Sequence, residues 1–322
     1  MTANTVSTMT LQPDTKAFVE MVELARVEGP AVSEQTPEFA RDRYQAMAHI
    51  LGSGPDLPGG VTDSEIPGPS GAIPIRIYRP VGQGPHPALI FYHGGGFVIG
   101  DLETHDKECR LLCAEANCIV VAVDYRLAPE APFPAAVDDA WAALKWIAAE
   151  GSTLQIDTDR LAVGGDSAGG NLSAVMALMA RDAGIDLRLQ MLVYPATDAS
   201  KHYESFTENA EGPLLTVEVI EWFWGHYLGT ASSEEVRNDW RFSPAKAPSH
   251  SNLAPAYVAT CSADPLRDEG NAYAAQLAEA DVMVKHSLFE GQPHVLFQLF
   301  NVCEGAKDLI RECAAALSEA FE

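Results

Sequence analysis

Three things are scarce in this sequence: paired cysteines, positive charge and long apolar runs. The six cysteines, Cys109, Cys113, Cys118, Cys261, Cys303 and Cys313, form no C-x-x-C pair and have no histidine at zinc spacing. Cys109, Cys113 and Cys118 could be read as ligands, but they suit small buried hydrophobes on a helix and the strand after it. No metal and no disulfide framework is expected, and a chain of 322 residues can bury a sizeable core without either. Lys and Arg number 21 against 45 Asp and Glu, a net charge of −24. Phosphate backbones and anionic membrane surfaces repel such a chain, so neither nucleic acid nor a membrane is an expected partner. The acidity itself reads as solubility or adaptation to salt. The longest uncharged hydrophobic stretch, Pro87 to Gly100, is broken by His93-Gly94-Gly95-Gly96, well short of the roughly 18 residues a membrane span needs. The opening MTANTVSTMTLQPDTK lacks a basic region followed by an apolar core, so no secretory signal is visible. The expectation is a reduced, cytoplasmic protein.

What is present is an ordinary globular composition, 47% hydrophobic and 20% charged, with too little charge for general disorder. Asp14 or Thr15 can cap a helix through Val27. Thr36 can cap a second, with Pro37 at its first position, to about Leu51. The Gly/Pro-rich LGSGPDLPGG that follows is the best candidate boundary. Ile73, Ile75 and Ile77 then alternate with Pro74, Arg76 and Tyr78, as in a strand with one buried face. Short continuous runs follow (ALIFY, CIVVAVDY, LAVGG, LQMLVYP, AYVATCSA), which suit strands buried on both faces of a parallel sheet. Helical patterns lie between them, Pro134 to Glu150 and Ala168 to Ala183, each stopped by a glycine. This alternation predicts a doubly wound α/β sheet. From Ala196 to about Asn238 the rhythm breaks into a polar loop and an aromatic-rich helix, Thr216 to Leu228, read as part of a cap. The expected division is 1–52 as cap helices, 53–195 and 239–322 as the catalytic unit, and 196–238 as a cap insertion.

Gly165-Asp166-Ser167-Ala168-Gly169 matches G-x-S-x-G between a strand and a helix, the context that turn requires. Ser167 is thereby lifted at the carboxyl end of the sheet, against the positive end of the next helix. A phosphate-binding turn is the alternative, but the Lys-Ser/Thr of a Walker loop is missing. His93-Gly94-Gly95-Gly96 follows the strand ALIFY and can offer bare backbone N–H groups, those of Gly94 and Gly95. With the N–H of Ala168 these would form an oxyanion hole. The fold needs the chain order Ser, acid, His. Of the later histidines, His286 sits inside the strand VMVKHSLF, His226 lies on the aromatic helix, and His250 lies in a Pro/Ser loop. His294 falls in the loop after the last strand and is chosen as base. Asp264, at the end of the strand AYVATCSA, is preferred as its orienting acid over Asp268, which falls in a helical first turn with Glu269.

His93-Gly94-Gly95-Gly96, the stretch Asp124 to Glu130 (DYRLAPE), Gly165 to Gly170 (GDSAGG) and Asp264 to Gly270 (DPLRDEG) resemble the hormone-sensitive-lipase family of bacterial esterases, within the α/β-hydrolase superfamily. The resemblance runs from about Ile73 to the end. It implies an α/β-hydrolase fold with a cap made partly from the N-terminus, no cofactor, and the same roles for Ser167, Asp264, His294, Gly94, Gly95 and Ala168. One departure is Val295, where the family often has Gly after the catalytic histidine. Arg126 and Glu130 are expected to brace the loop beneath the oxyanion hole, and His93 to orient its own loop. Asp166 either supports the turn or faces solvent. Phe97, Trp222, Phe223 and Trp224 are candidate pocket residues. With Tyr227, the helix carries four aromatics within six positions, too many to face one cleft.

The expected function is serine carboxylic-ester hydrolysis through an acyl-enzyme. The substrate is a small ester with a short acyl group, because bulky rings over a cleft fill the volume a long chain needs. An amidase or transacylase could use the same triad, and a lipase would normally show an apolar lid that is not evident. A binding protein on this fold, as in the gibberellin receptors that resemble the family, is disfavoured by His294 standing with Ser167 and Asp264. A homodimer is compatible with the sequence.

Overall fold

A computed structural model describes residues 10–26, 30, 34–229 and 234–322. Two helices come first, α1 (Pro13–Arg26) and α2 (Pro37–Ile50). Val27, the expected end of the first helix, lies outside the described residues. Thr36 caps α2, its hydroxyl oxygen accepting the Phe39 N–H at 3.3 Å. Asp14 serves a different helix. It lies in the first turn of α1 and accepts the N–H of Glu304 at 3.0 Å, which ties α1 to the start of the C-terminal helix.

The strands are β1 (Val61–Gly68), β2 (Gly71–Tyr78), β3 (His86–Tyr92), β4 (Ile119–Val123), β5 (Ile156–Asp166), β6 (Leu189–Val193), β7 (Ala256–Ala263) and β8 (Val284–Pro293). They form one sheet in the order β1-β2-β4-β3-β5-β6-β7-β8. The β1–β2 and β2–β4 pairs are antiparallel and the others parallel. The remaining helices are α3 (Asp106–Ala116), α4 (Ala135–Glu150), α5 (Ala168–Ala183), α6 (Glu204–Glu208), α7 (Val217–Leu228), α8 (Glu234–Arg237), α9 (Arg267–Glu279) and α10 (Glu304–Phe321).

The continuous apolar runs are explained by burial on both faces of this sheet. In β3, Ala88, Ile90 and Tyr92 join one core with α4 and α5, while Leu89 and Phe91 join another with α3 and α10. In β4, Val121 and Val123 go one way, and Val120 and Ala122 the other. Cys109, Cys113 and Cys118 are buried free thiols in the second core. No helix among the described residues is long and apolar enough to cross a membrane.

Parallel strands deliver the loops after β3, β5, β7 and β8 to one edge of the sheet, where α1, α2 and α7 lie over them. α7 buries Ile220, Phe223, Trp224, Tyr227 and Leu228.

Candidate active site

The turn after β5 is where local geometry is most constrained. Ser167 stands at φ 54° and ψ −115°, a conformation that costs a side-chain-bearing residue free energy and is held here by its neighbours. Its N–H donates to the Val193 carbonyl at 2.9 Å, and its own carbonyl accepts from Asn171 at 3.0 Å as α5 begins. The flanking glycines are dictated by close approach. A Cβ on Gly165 would sit 2.1 Å from the Tyr92 carbonyl oxygen, and one on Gly169 1.8 Å from the same atom.

Ser167, His294 and Asp264 come together from three loops. His294 Nε2 is 2.9 Å from Ser167 Oγ, and His294 Nδ1 is 2.7 Å from Asp264 Oδ2. Asp264 is fully buried, and its other carboxylate oxygen accepts the Leu266 N–H at 2.8 Å. Asp268 faces elsewhere. It accepts the Ser205 N–H at 2.8 Å and pairs with Arg267, four residues from the carboxylate that meets the imidazole. The three side chains are arranged to move a proton from a hydroxyl to an imidazole whose far nitrogen is held by a carboxylate.

A cavity of about 230 Å³ opens beside Ser167. Its walls include Phe18 and Val22 of α1, Tyr44 and Met47 of α2, and Ile220, Phe223 and Trp224 of α7. Among the described residues no three His, Cys, Asp or Glu side chains cluster as a metal site would need.

A family of proteins described by the alpha/beta hydrolase fold matches residues 89–298. The carboxylic ester hydrolase LipN of Mycobacterium tuberculosis is 42% identical over 315 residues, spanning 96% of this chain and 82% of that protein. An ethyl acetate hydrolase of Pseudomonas putida is 36% identical, with 97% and 99% covered. Among solved structures, the ester hydrolase EH1AB1 from the metagenome of Lake Arreo, complexed with a bipyridine phosphonate derivative, superposes with a TM-score of 0.92. It shares 39% identity over 97% of this chain and 99% of that one. The chain belongs to the α/β-hydrolase family, among its hormone-sensitive-lipase-like esterases.

In this α/β hydrolase the glycine loop departs from the sequence expectation at one position. Gly94 is not a free donor: its N–H is spent on Asp166 Oδ1 at 2.9 Å, and it does not line the cavity. The loop turns at Gly95, φ 116°, and Gly96, φ 59°, so the exposed amides come one residue later. Among the described residues the N–H groups of Gly95 and Gly96 meet no acceptor, and both glycines line the cavity with Ala168. The glycine amides left unpaired at the cavity, beside Ala168, are therefore those of Gly95 and Gly96, and the expectation of Gly94 as a donor gives way to a supporting contact with Asp166.

The other candidates separate clearly. Phe97 (φ 64°) lines the cavity with its ring stacked on Tyr227 at 4.0 Å; Phe223 and Trp224 line it too. Trp222 does not. A residue's step around a helix of 3.6 residues per turn carries it out of the cleft, where its ring meets His226 edge-on at 4.5 Å. His93 stacks on Tyr125 at 4.3 Å and directs Nδ1 to the Gly94 carbonyl at 2.7 Å. Burial pushes its imidazole down to about 4, so it is neutral. Arg126 forks onto Asp139 at 2.7 and 2.8 Å and donates to Ser70.

Glu130 reaches outward. Arg41 of α2 grips it with two hydrogen bonds, 2.8 and 2.7 Å, and also donates to the carbonyls of Val98 and Ala128. The Arg41 hydrogen bond holds the Glu130 carboxyl down to about 2. This clamp between the N-terminal helix and the loops below was not expected from sequence, since Arg41 is one of several charges on a polar helical face. His105 was also missed. It is buried beside Asp166, its Nε2 3.2 Å from Oδ1, in a stretch (DLETHDKE) that reads as solvated loop. Val295 takes φ 72°, a left-handed conformation that is unusual for a β-branched residue and natural for glycine.

Proposed function

We propose that the chain hydrolyses carboxylic esters of short acyl groups by way of an acyl-enzyme, with Ser167 as nucleophile, His294 as base and Asp264 as its orienting acid. Ester hydrolysis is the activity named for relatives that cover nearly the whole chain. The observation that carries the mechanism is the aligned Ser167–His294–Asp264 set, 2.9 and 2.7 Å apart, at the floor of an apolar cavity. As Ser167 Oγ attacks the ester carbon, His294 Nε2 takes its proton, and Asp264 stabilises the imidazolium that forms. The carbonyl oxygen, now anionic, is met by the N–H groups of Gly95, Gly96 and Ala168, the last at the positive end of α5. Collapse expels the alcohol, protonated by His294. Water then attacks the acyl-enzyme by the reverse roles, releasing the acid and regenerating Ser167.

The short-chain preference rests on volume. About 230 Å³ is small beside the 300–1,000 Å³ of most ligand sites. Each methylene buried in the cavity adds about 0.8 kcal/mol of binding until the space is full. Beyond that, each further carbon must displace packed rings such as Phe223 and Trp224, at roughly 1–3 kcal/mol. The test is hydrolysis of p-nitrophenyl esters from two to twelve acyl carbons, with Ser167→Ala alongside. An optimum at about two to six carbons and a loss of about three orders of magnitude in folded Ser167→Ala are expected. Activity still rising at twelve carbons would refute the size argument, and an active Ser167→Ala protein would refute the nucleophile.

A further inference from the structure

Beneath the oxyanion loop, polar groups from five separate stretches of chain converge in the interior. Asp166 Oδ1, which accepts the Gly94 N–H at 2.9 Å, lies 3.2 Å from His105 Nε2. Both side chains are almost fully buried, His105 at 1% and Asp166 at 2% exposure. An imidazole nitrogen facing a carboxylate carries its proton. The other nitrogen, Nδ1, is 2.9 Å from Thr104 Oγ1, whose own hydrogen points to the Asp101 carbonyl at 2.9 Å. The ring is thus held between a carboxylate and a hydroxyl, a setting that favours positive charge on it. Burial opposes that charge, but the Asp166 carboxylate outweighs it and holds the His105 imidazole above its ordinary range. Reciprocally, burial would raise Asp166, and His105 keeps it below the usual carboxylate value.

The pair is joined to the cap. The Gln298 side-chain amide is 3.2 Å from His105 Nε2 and 2.5 Å from the Tyr44 hydroxyl of α2. The amide nitrogen donates to the Tyr44 hydroxyl, so Gln298 stands between the His105 ring and helix α2. Lys107 Nζ pins the Gln298 backbone carbonyl at 2.7 Å. On the other side the fit is tight: a Cβ on Gly94 would meet Asp166 Oδ2 at 2.4 Å. A shift of Asp166 thus transmits directly to the loop that carries Gly95 and Gly96.

We propose that His105 is a positioning residue for the oxyanion hole, holding Asp166 against the Gly94 N–H, and that Gln298 and Tyr44 extend this support to helix α2. The proposal rests on the ester-hydrolase reading for its kinetic consequence. His105 touches no substrate; it acts through Asp166.

The test compares His105→Leu, which deletes the donor, with His105→Gln, whose amide nitrogen reaches the place of Nε2. Two readouts are taken: amide hydrogen exchange across residues 93–99, and steady-state ester hydrolysis. In His105→Leu, exchange should quicken by about tenfold or more. Its kcat should fall roughly 10- to 100-fold, because displacing oxyanion donors weakens contacts made in the transition state, while KM changes by less than about threefold. His105→Gln should recover most of both. Unchanged exchange and kcat in His105→Leu, a loss confined to KM, or equal damage in His105→Gln would overturn the proposal. If His105→Leu fails to fold, His105→Asn replaces it, since its shorter amide reaches only the place of Nδ1. Equal behaviour of Asn and Gln then refutes the relay. The exchange readout needs no turnover, so it judges the relay even if an active Ser167→Ala protein removes the proposed mechanism.

Discussion

Glu269 is a buried acid whose surroundings favour its neutral form, and replacing it by Gln tests this. Its side chain is 3% exposed in the first turn of α9, and Oε1 accepts the N–H groups of Thr197 at 2.6 Å and Asp198 at 3.4 Å. Burial is the larger influence and raises the carboxyl; the two N–H groups lower it; the Asp198 and Asp264 carboxylates raise it further. The result is pushed up from 4.5 to about 8. A neutral Glu269 leaves Asp264 free of a second ionised carboxylate beside it. Linkage gives the sign. Between pH 4.5 and about 8 the unfolded chain has released this proton and the native chain has kept it, so stability falls as pH rises through that window. At about 1.4 kcal/mol per unit, the difference between pH 5 and pH 8 is on the order of 4 kcal/mol. Glu269→Gln keeps an acceptor oxygen and cannot ionise. The variant should therefore be close to wild type at pH 5 and the more stable of the two at pH 8, by a few kcal/mol. Urea unfolding at pH 5, 6, 7 and 8, with the slopes compared as well as the midpoints, measures this difference. A gap between the two proteins that does not change with pH would show that Glu269 is ionised in the native state.

Two further predictions follow from contacts at the site. Asp264→Asn should reduce kcat by about four orders of magnitude, since a neutral amide cannot stabilise the imidazolium held at 2.7 Å, whereas Asp268→Asn should cost less than about tenfold. Steady-state kinetics with the ranking reversed would reject Asp264. Gly96→Ala should lower kcat/KM by at least about tenfold, because its Cβ would fall 2.2 Å from the Phe223 ring at a backbone φ of 59°, displacing a donor by a fraction of its working distance. Full activity in that variant would argue that Gly96 is not part of the hole.

The sequence by itself determined whatever depends on neighbours along the chain. The strand–turn–helix at Ser167 was legible because G-x-S-x-G is a local steric requirement: the two glycines lie where any Cβ strikes the Tyr92 carbonyl. The sheet was legible because strands buried on both faces read as unbroken apolar runs, as β3 and β4 do. Asp264 was preferred over Asp268 because one ends a strand and the other starts a helix, and the two now face His294 and Ser205. β1 escaped notice because its exposed pattern leaves Ile66 as the one buried position, which carries no period.

Tertiary structure decided what depends on partners distant in sequence. Gly94 and Gly95 are equivalent on paper, and only the approach of Asp166, 72 positions away, occupies the first N–H and leaves those of Gly95 and Gly96 unpaired at the cavity. The roles of Arg41 and His105 were hidden for the same reason. A charged residue on a polar stretch looks solvated until Glu130 closes on one and Asp166 on the other. The helical rotation that places Phe223 and Trp224 in the cleft and Trp222 outside it depends on how α7 lies across the sheet, an orientation set by packing and not by any local preference.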